Sequence, residues 1–106
     1  MANVLVNAPK TARRGSVVEI KALIQHPMET GFRTGPNGSI FPRNIIQRFT
    51  ATWNGAEIVS MDLSPAISAN PFVSFSAVAR ESGTVKLSWT GDNGFAVEEQ
   101  VAIAVE

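Results

Sequence analysis

Cysteine is absent from this chain. That excludes any disulfide, thiolate nucleophile, zinc–thiolate site or iron–sulfur cluster supplied by the chain itself. The redox compartment stays open, because a cysteine-free chain tolerates either side of a membrane. Histidine is scarce, with His26 as its one instance. Neither sign of charge is in surplus, nine Lys and Arg standing against nine Asp and Glu. This balance argues against a nucleic-acid or anionic-membrane binder, whose affinity rests on surplus Lys and Arg. Its weak colloidal repulsion suits a lasting protein partner. No apolar run approaches the roughly 20 residues that a membrane helix needs. The N-terminus does not read as a signal peptide. Arg13-Arg14 is followed by Glu19 and Lys21, which interrupt what would be the apolar core of a twin-arginine signal. The expectation is two solvated arginines before a strand, and no export signal of the chain's own.

What is present is period-two alternation. Val18, Ile20, Ala22 and Ile24 share one face of a predicted strand, with Glu19, Lys21 and Gln25 opposite. Ile45, Phe49, Ala51 and Trp53 repeat the pattern, broken by Gln47. Val73, Phe75, Ala77 and Ala79 form a third set; Val85, Leu87 and Trp89 a fourth; Val97, Val101, Ile103 and Val105 close the chain. Such β-branched and aromatic alternation marks half-buried antiparallel strands. Turn residues separate the sets: Pro9 to Gly15, Asn54-Gly55, Ser82-Gly83 and Gly91-Asp92-Asn93-Gly94. Asn-Gly is a strong hairpin cue, because both central residues of a type I′ turn need positive φ. Ser64 to Pro71 is longer and is expected to cross between sheets with a possible helical turn. The 106 residues suffice for one small domain, 1–106, and 44% hydrophobic content is ordinary for a folded chain. About seven strands without a convincing helix predict an all-β fold, an immunoglobulin-like antiparallel β-sandwich without its disulfide. Trp53, Phe75 and Trp89 must then supply much of the core.

The densest stretch runs from His26 to Trp53. It opens on His26-Pro27-Met28-Glu29-Thr30-Gly31, passes a tip of Thr34-Gly35-Pro36-Asn37-Gly38, and reaches Pro42-Arg43-Asn44-Ile45-Ile46. Catalysis finds little support in it. A metal site would need His26 with carboxylates, and Pro27 prevents a helical His-x-x-Glu arrangement with Glu29. No Gly-x-Ser-x-Gly elbow is present, and His26 has no obvious serine partner. Glu98 and Glu99, adjacent on a strand, point to opposite faces and cannot converge on one substrate atom. Gly91 to Gly94 bridges two strands and opens no helix, so it cradles no phosphate. The expectation is therefore no catalytic residue, no cofactor and no metal. A surface signal remains: Arg43 and Arg48 flank Ile45-Ile46, with Ile46 and Arg48 expected opposite the Ile45/Phe49 core face. That composition suits an interface. It equally suits an edge strand whose charges prevent sheet-to-sheet aggregation, and composition leaves the two open.

These residues also carry a family resemblance. His26-Pro27-Met28-Glu29-Thr30-Gly31, then Pro42-Arg43-Asn44-Ile45-Ile46 through Arg48-Phe49-Thr50 to Asn54-Gly55, resembles the SoxZ family of the bacterial Sox system. That system oxidises thiosulfate and other reduced sulfur compounds. The likeness continues through Ser64-Pro65-Ala66, Ala69-Asn70-Pro71-Phe72, Ser74-Phe75, Glu81-Ser82-Gly83 and Ser88-Trp89-Thr90. It implies an immunoglobulin-like sandwich that pairs with a second sandwich, SoxY, whose tail cysteine carries the sulfur substrate among the Sox enzymes. It implies no cysteine nucleophile in this chain, and work in the periplasm after export with a partner bearing the twin-arginine signal. The sequence departs from the common pattern in the tip between Gly31 and Pro42, usually richer in Asp and Lys, and at Gln47, where asparagine is frequent.

The reading is a noncatalytic subunit of a sulfur-carrier heterodimer, with transient contacts to other Sox enzymes. His26, Met28, Glu29, Arg43, Asn44, Ile46 and Arg48 are its candidate partner-binding residues. Met28 and Ile46 would bury apolar area, and Arg43 and Arg48 would set orientation. Ile46→Asp is then expected to weaken a complex and leave the domain folded. Two rivals remain. A stand-alone immunoglobulin-like binding or adhesion module needs an exposed aromatic platform, whereas both tryptophans alternate with the core. A small redox or hydrolytic sandwich enzyme needs a cofactor that this chain is poorly equipped to ligate.

Overall fold

The computed structural model describes residues 3–64, 67 and 69–106. Among these residues eight strands form two sheets. The smaller has the order β1 (Val4–Asn7), β3 (Val17–Ile24), β6 (Phe72–Val78), antiparallel throughout. The larger has the order β2 (Thr11–Ala12), β8 (Ala96–Val105), β7 (Gly83–Gly91), β4 (Ile46–Trp53), β5 (Ala56–Asp62). Its pairings are antiparallel except β2, which runs parallel to β8. The all-β sandwich expected from the alternation is present, and the two-residue β2 takes the strand count past seven. Pro65, Ala66 and Ser68, within the expected crossing, lie outside the described residues.

Alternation becomes burial along β3, where Val18, Ile20, Ala22 and Ile24 are buried and Val17, Glu19 and Lys21 are exposed. The opposing layer comes from Phe49 and Ala51 of β4, Val85, Leu87 and Trp89 of β7, and Ile103 of β8. Aromatic contact joins the sheets. The Phe49 ring lies 5.1 Å from Trp89 within its own sheet and 5.9 Å from Phe75 across the gap. Trp53 and Trp89 are buried and Phe75 half-buried. Among the described residues Trp89 Nε1 finds no hydrogen-bond partner. An unmet donor costs roughly 1–3 kcal/mol, less than a buried ring of about 150–250 Å² returns. Trp53 Nε1 instead donates to the Glu81 carbonyl at 3.0 Å. Asn54 and Gly55, with φ of 51° and 85°, close the β4–β5 hairpin between Trp53 and Ala56, the type I′ turn that their sequence requires.

One facing is overturned. Between Ile46 and Arg48 the β4–β7 register slips, two steps along β4 answering one along β7. This β-bulge inserts Gln47 and reverses the phase of the residues before it. Ile46 therefore points inward at 0% exposure, beside Ile45 at 1%, and Gln47 and Arg48 both face solvent. Strict alternation had placed Ile46 outside.

The molecule is long, with extents of 59 × 22 × 19 Å and a radius of gyration of 16.2 Å, against about 13 Å for a compact chain of this size. Its longest strand, of 10 residues, spans about 34 Å. Segments beyond the strand ends supply the remaining length.

Candidate functional site

The stretch from His26 to Arg48 leaves β3, projects as an arm and returns into β4. Backbone bonds tie its base. Glu29 and Asn44 exchange N–H···O bonds of 2.8 Å in each direction, pinning the outgoing and returning limbs together. Thr34 and Ile40 bridge nearer the tip, where Pro36–Gly38 makes a single 3₁₀ turn with Asn37 at φ 64°. Arg33 stiffens the arm. Its guanidinium forks onto the Glu29 carboxylate at 2.9 and 2.5 Å and lies 3.9 Å from the Phe41 ring centroid. The Arg33 hydrogen bond holds the Glu29 carboxyl below its usual range and raises the Arg33 guanidinium. The large apolar side chains that the arm exposes are Phe32, at 85%, and Ile40, at 64%.

Asp92 organises the base. It sits in the turn between β7 and β8, where Gly91 approaches β4 so closely that a Cβ would lie 2.3 Å from the Ile45 carbonyl oxygen. Arg43 donates to both carboxylate oxygens of Asp92 at 2.9 and 2.8 Å. The Ile45 amide donates to Oδ2 at 3.1 Å and Gln47 Nε2 to Oδ1 at 2.5 Å. The Asp92 amide returns a bond to the Ile45 carbonyl at 2.9 Å. With Arg43 as the largest cause, and the Ile45 amide and Gln47 assisting, the Asp92 carboxyl lies below its ordinary range. Sequence reading treated Asp92 as part of a turn and missed this role. A carboxylate amid glycines and asparagine, in a chain with unassigned arginines, was the available signal.

His26 is buried. Its ring meets Phe95 edge-on at 4.8 Å, and its Nδ1 accepts the Met28 amide at 3.0 Å. Its backbone amide donates to Asn70 Oδ1 at 2.9 Å, and the Asn70 amide donates to its carbonyl at 2.8 Å, fastening the arm to the start of β6. Burial depresses the imidazole pKa, against an opposing pull from the Asp92 charge. A neutral ring with Nδ1 occupied is an anchor. Met28 follows with φ 51°, a left-handed conformation that costs a non-glycine residue of order 1–3 kcal/mol. That turn lays its sulfur 3.2 Å from the Ile46 amide, at the bulge.

The structure thus brings six of the seven expected contact residues together around the arm's base, and sorts them. The side chains of Arg43 and Arg48 are exposed; those of Glu29 and Asn44 are partly exposed. His26, Met28 and Ile46 are buried within the domain, so the expectation that Met28 and Ile46 offer apolar area to a partner is corrected. Arg48 stands apart from the Asp92 cluster, bonding Asp62 at 3.0 Å and Ser60 at 2.6 Å on β5. The exposed apolar side chains at this end, Phe32 and Ile40, lie in the stretch between Gly31 and Pro42, outside the seven expected contact residues. Among the described residues no group of three His, Cys, Asp or Glu side chains could hold a metal ion.

Solved structures share the fold. A superoxide reductase (neelaredoxin) from Ignicoccus hospitalis is 16% identical with a TM-score of 0.75, over 97% of this chain and 80% of that one. The sulfur carrier protein SoxY from Chlorobium limicola f thiosulfatophilum is 13% identical with a TM-score of 0.69, over 97% and 78%. A CARDB domain from Pyrococcus furiosus, solved with di-metal ions, is 11% identical with a TM-score of 0.59, over 100% and 94%. At such identities the likeness establishes the architecture alone. No curated protein matches the sequence. The family model described as "Sulphur oxidation protein SoxZ" matches residues 6–102, nearly the whole chain, and the protein belongs to the SoxZ family.

Proposed function

We propose that this chain is the noncatalytic subunit of a heterodimeric sulfur carrier, paired with a SoxY-type sandwich whose tail cysteine holds the oxidation intermediates of thiosulfate. The observation that carries this reading is the family match over 6–102 in a chain with no cysteine of its own. A sulfur substrate carried through an S–S bond needs a cysteine sulfur, so a partner must provide it. The organised part of the molecule also suits contact better than chemistry. Its one imidazole is buried with Nδ1 engaged, and the Asp92 carboxylate, which accepts from three residues, is paired with Arg43.

In this reading the arm is the presenting element. Phe32 and Ile40 supply apolar contact at its surface, and Arg43, Asn44 and Arg48 form a polar margin toward the partner or the Sox enzymes. The subunit works in the periplasm, exported with its partner. Co-expression with a SoxY-type subunit followed by size-exclusion chromatography tests the pairing: co-elution in equal amounts is expected, and separate elution overturns the reading. Stoichiometric iron, copper or zinc in protein purified without an affinity tag would also overturn the reading.

A further inference from the structure

The two sheets have four edges, and three are protected. The β1 edge is four residues long and the β2 edge two. The β5 edge carries Glu57 and Asp62, and its pairing with β4 is broken by a register shift. The β6 edge has no such device. Phe72-Val73-Ser74-Phe75-Ser76-Ala77-Val78 is seven residues long, without charge, proline or bulge, and among the described residues it pairs only with β3. A long uncharged edge is a template for another strand, which proteins normally blunt. Beneath it the sandwich is open, with a cleft of about 410 Å³ lined by Trp53, Ile58 and Ala77.

We propose that the β6 edge pairs antiparallel with the β6 edge of a second copy of this chain, joining two three-stranded sheets into one of six strands. The phase of the backbone fits. The Pro71 carbonyl accepts from Ile24, and the Ala79 amide donates to Ser16, so odd-numbered residues turn their polar groups toward β3. Phe72, Ser74, Ser76 and Val78 therefore turn theirs to the free edge. A two-fold axis at Phe75 sets Ser74 opposite Ser76 and Phe72 opposite Val78, each a hydrogen-bonded pair, with the two Phe75 residues meeting at the close non-bonded site.

The side chains fit as well. Leu5, Leu23 and Phe72 already lie in one row across the sheet, and Val17 pairs with Val78 at its other end. The two-fold axis continues Leu5–Leu23–Phe72 into Val78 and Val17 of the second copy. At the seam it sets Phe72, 60% exposed, beside Val78 of the second copy, 40% exposed, so that one apolar row runs on across both sheets. No like charges meet, because the nearest, Arg80 and Glu81, fall opposite Asn70 and Ala69. An isologous contact of this kind closes on itself.

Sedimentation equilibrium of the full chain across a concentration series is the test, with amide exchange recorded in parallel. Twice the monomer mass at high concentration is expected. Dilution should release the amides of Phe72, Ser74, Ser76 and Val78 while Val73, Phe75 and Ala77 stay protected. Ser74→Glu with Ser76→Glu places like charges opposite and should weaken the dimer at least tenfold. Ser74→Glu with Ser76→Lys should restore it, and within one chain these two face Lys21 and Glu19, so the monomer tolerates them. A monomer at every concentration overturns the proposal, as does a dimer indifferent to both pairs. If Ser74→Glu with Ser76→Glu instead strips a SoxY-type subunit from a one-to-one complex, the edge belongs to that subunit and the proposal fails.

Discussion

Arg43 and Asp92 lie forty-nine positions apart and meet in a two-pronged ion pair of 2.9 and 2.8 Å at the base of the arm. Through Asp92 the returning limb of the arm is fastened to the β7–β8 turn, because the same carboxylate also holds the Ile45 amide and Gln47. A single surface ion pair contributes little, but one that also satisfies a backbone amide fixes a conformation.

Asp92→Ala should release all three donors. We expect a thermal midpoint several degrees lower and faster amide exchange at Ile45. Asp92→Asn, which keeps one acceptor oxygen, should fall between. Unchanged exchange at Ile45 would show that the bulge holds itself. The sign of the acid response follows from the depressed carboxyl. Its contribution is present above its unfolded value near 3.8 and is lost as pH falls through the lower folded value, so Asp92→Asn should flatten the acid limb of a stability profile.

His26 titrates the other way in charge and the same way in slope. Its folded pKa lies below the ordinary 6.5, chiefly through burial. Above 6.5 the ring is neutral in both states and stability is full. As pH falls below it the unfolded chain takes up the proton first, and stability declines. Protonation at Nδ1 would also remove the acceptor of the Met28 amide. Urea titrations between pH 7.5 and 5 should show this decline, and His26→Asn, whose carbonyl can stand in for Nδ1, should lessen it.

Ile46→Ala should cost about 2–5 kcal/mol, the usual loss for a fully buried aliphatic side chain. Ile46→Asp should abolish the cooperative melt of the isolated domain, since whole domains hold only about 5–15 kcal/mol. A folded Ile46→Asp monomer would return this residue to the surface.

Gly91→Ala tests the close approach of the turn to β4. With extended backbone the glycine is needed for room alone, since its φ is −165°. A methyl group would meet the Ile45 carbonyl and Ile46 Cα, both backbone, and must push the turn away. Loss of the Arg43–Asp92 pair should follow, visible as destabilisation resembling that of Asp92→Ala.

Phe32→Ser and Ile40→Ser address the arm as a contact element. Both side chains are exposed, so the melt should shift by no more than about 0.5 kcal/mol. Affinity for a SoxY-type subunit or a Sox enzyme should fall at least tenfold. Full affinity in the double variant would move the contact elsewhere.

Much of the architecture could be read along the chain because alternation is a local property. The buried faces of β3 and β7, and the Asn54-Gly55 hairpin, need no information beyond neighbouring residues. The facing of Ile46 failed for the complementary reason. A bulge is a mismatch between two strands, and Gly91 on β7 decides it as much as Gln47 on β4. Two adjacent polar residues, Gln47-Arg48, in an alternating run were its sequence trace. His26 misled in another way: scarcity suggested a reactive group, whereas its surroundings make it an anchor.

By itself the sequence determined the fold class, the absence of any thiol, the family, and that the stretch from His26 to Trp53 would be distinctive. Each depends on residue identity or on spacing along one strand. Only the tertiary structure decided that Asp92 gathers Arg43, Gln47 and the Ile45 amide, that Met28 and Ile46 face inward, and that β6 ends its sheet with an uncharged free edge. Those features arise where distant segments meet, and there burial, register and the demand for hydrogen-bond partners outweigh local preference.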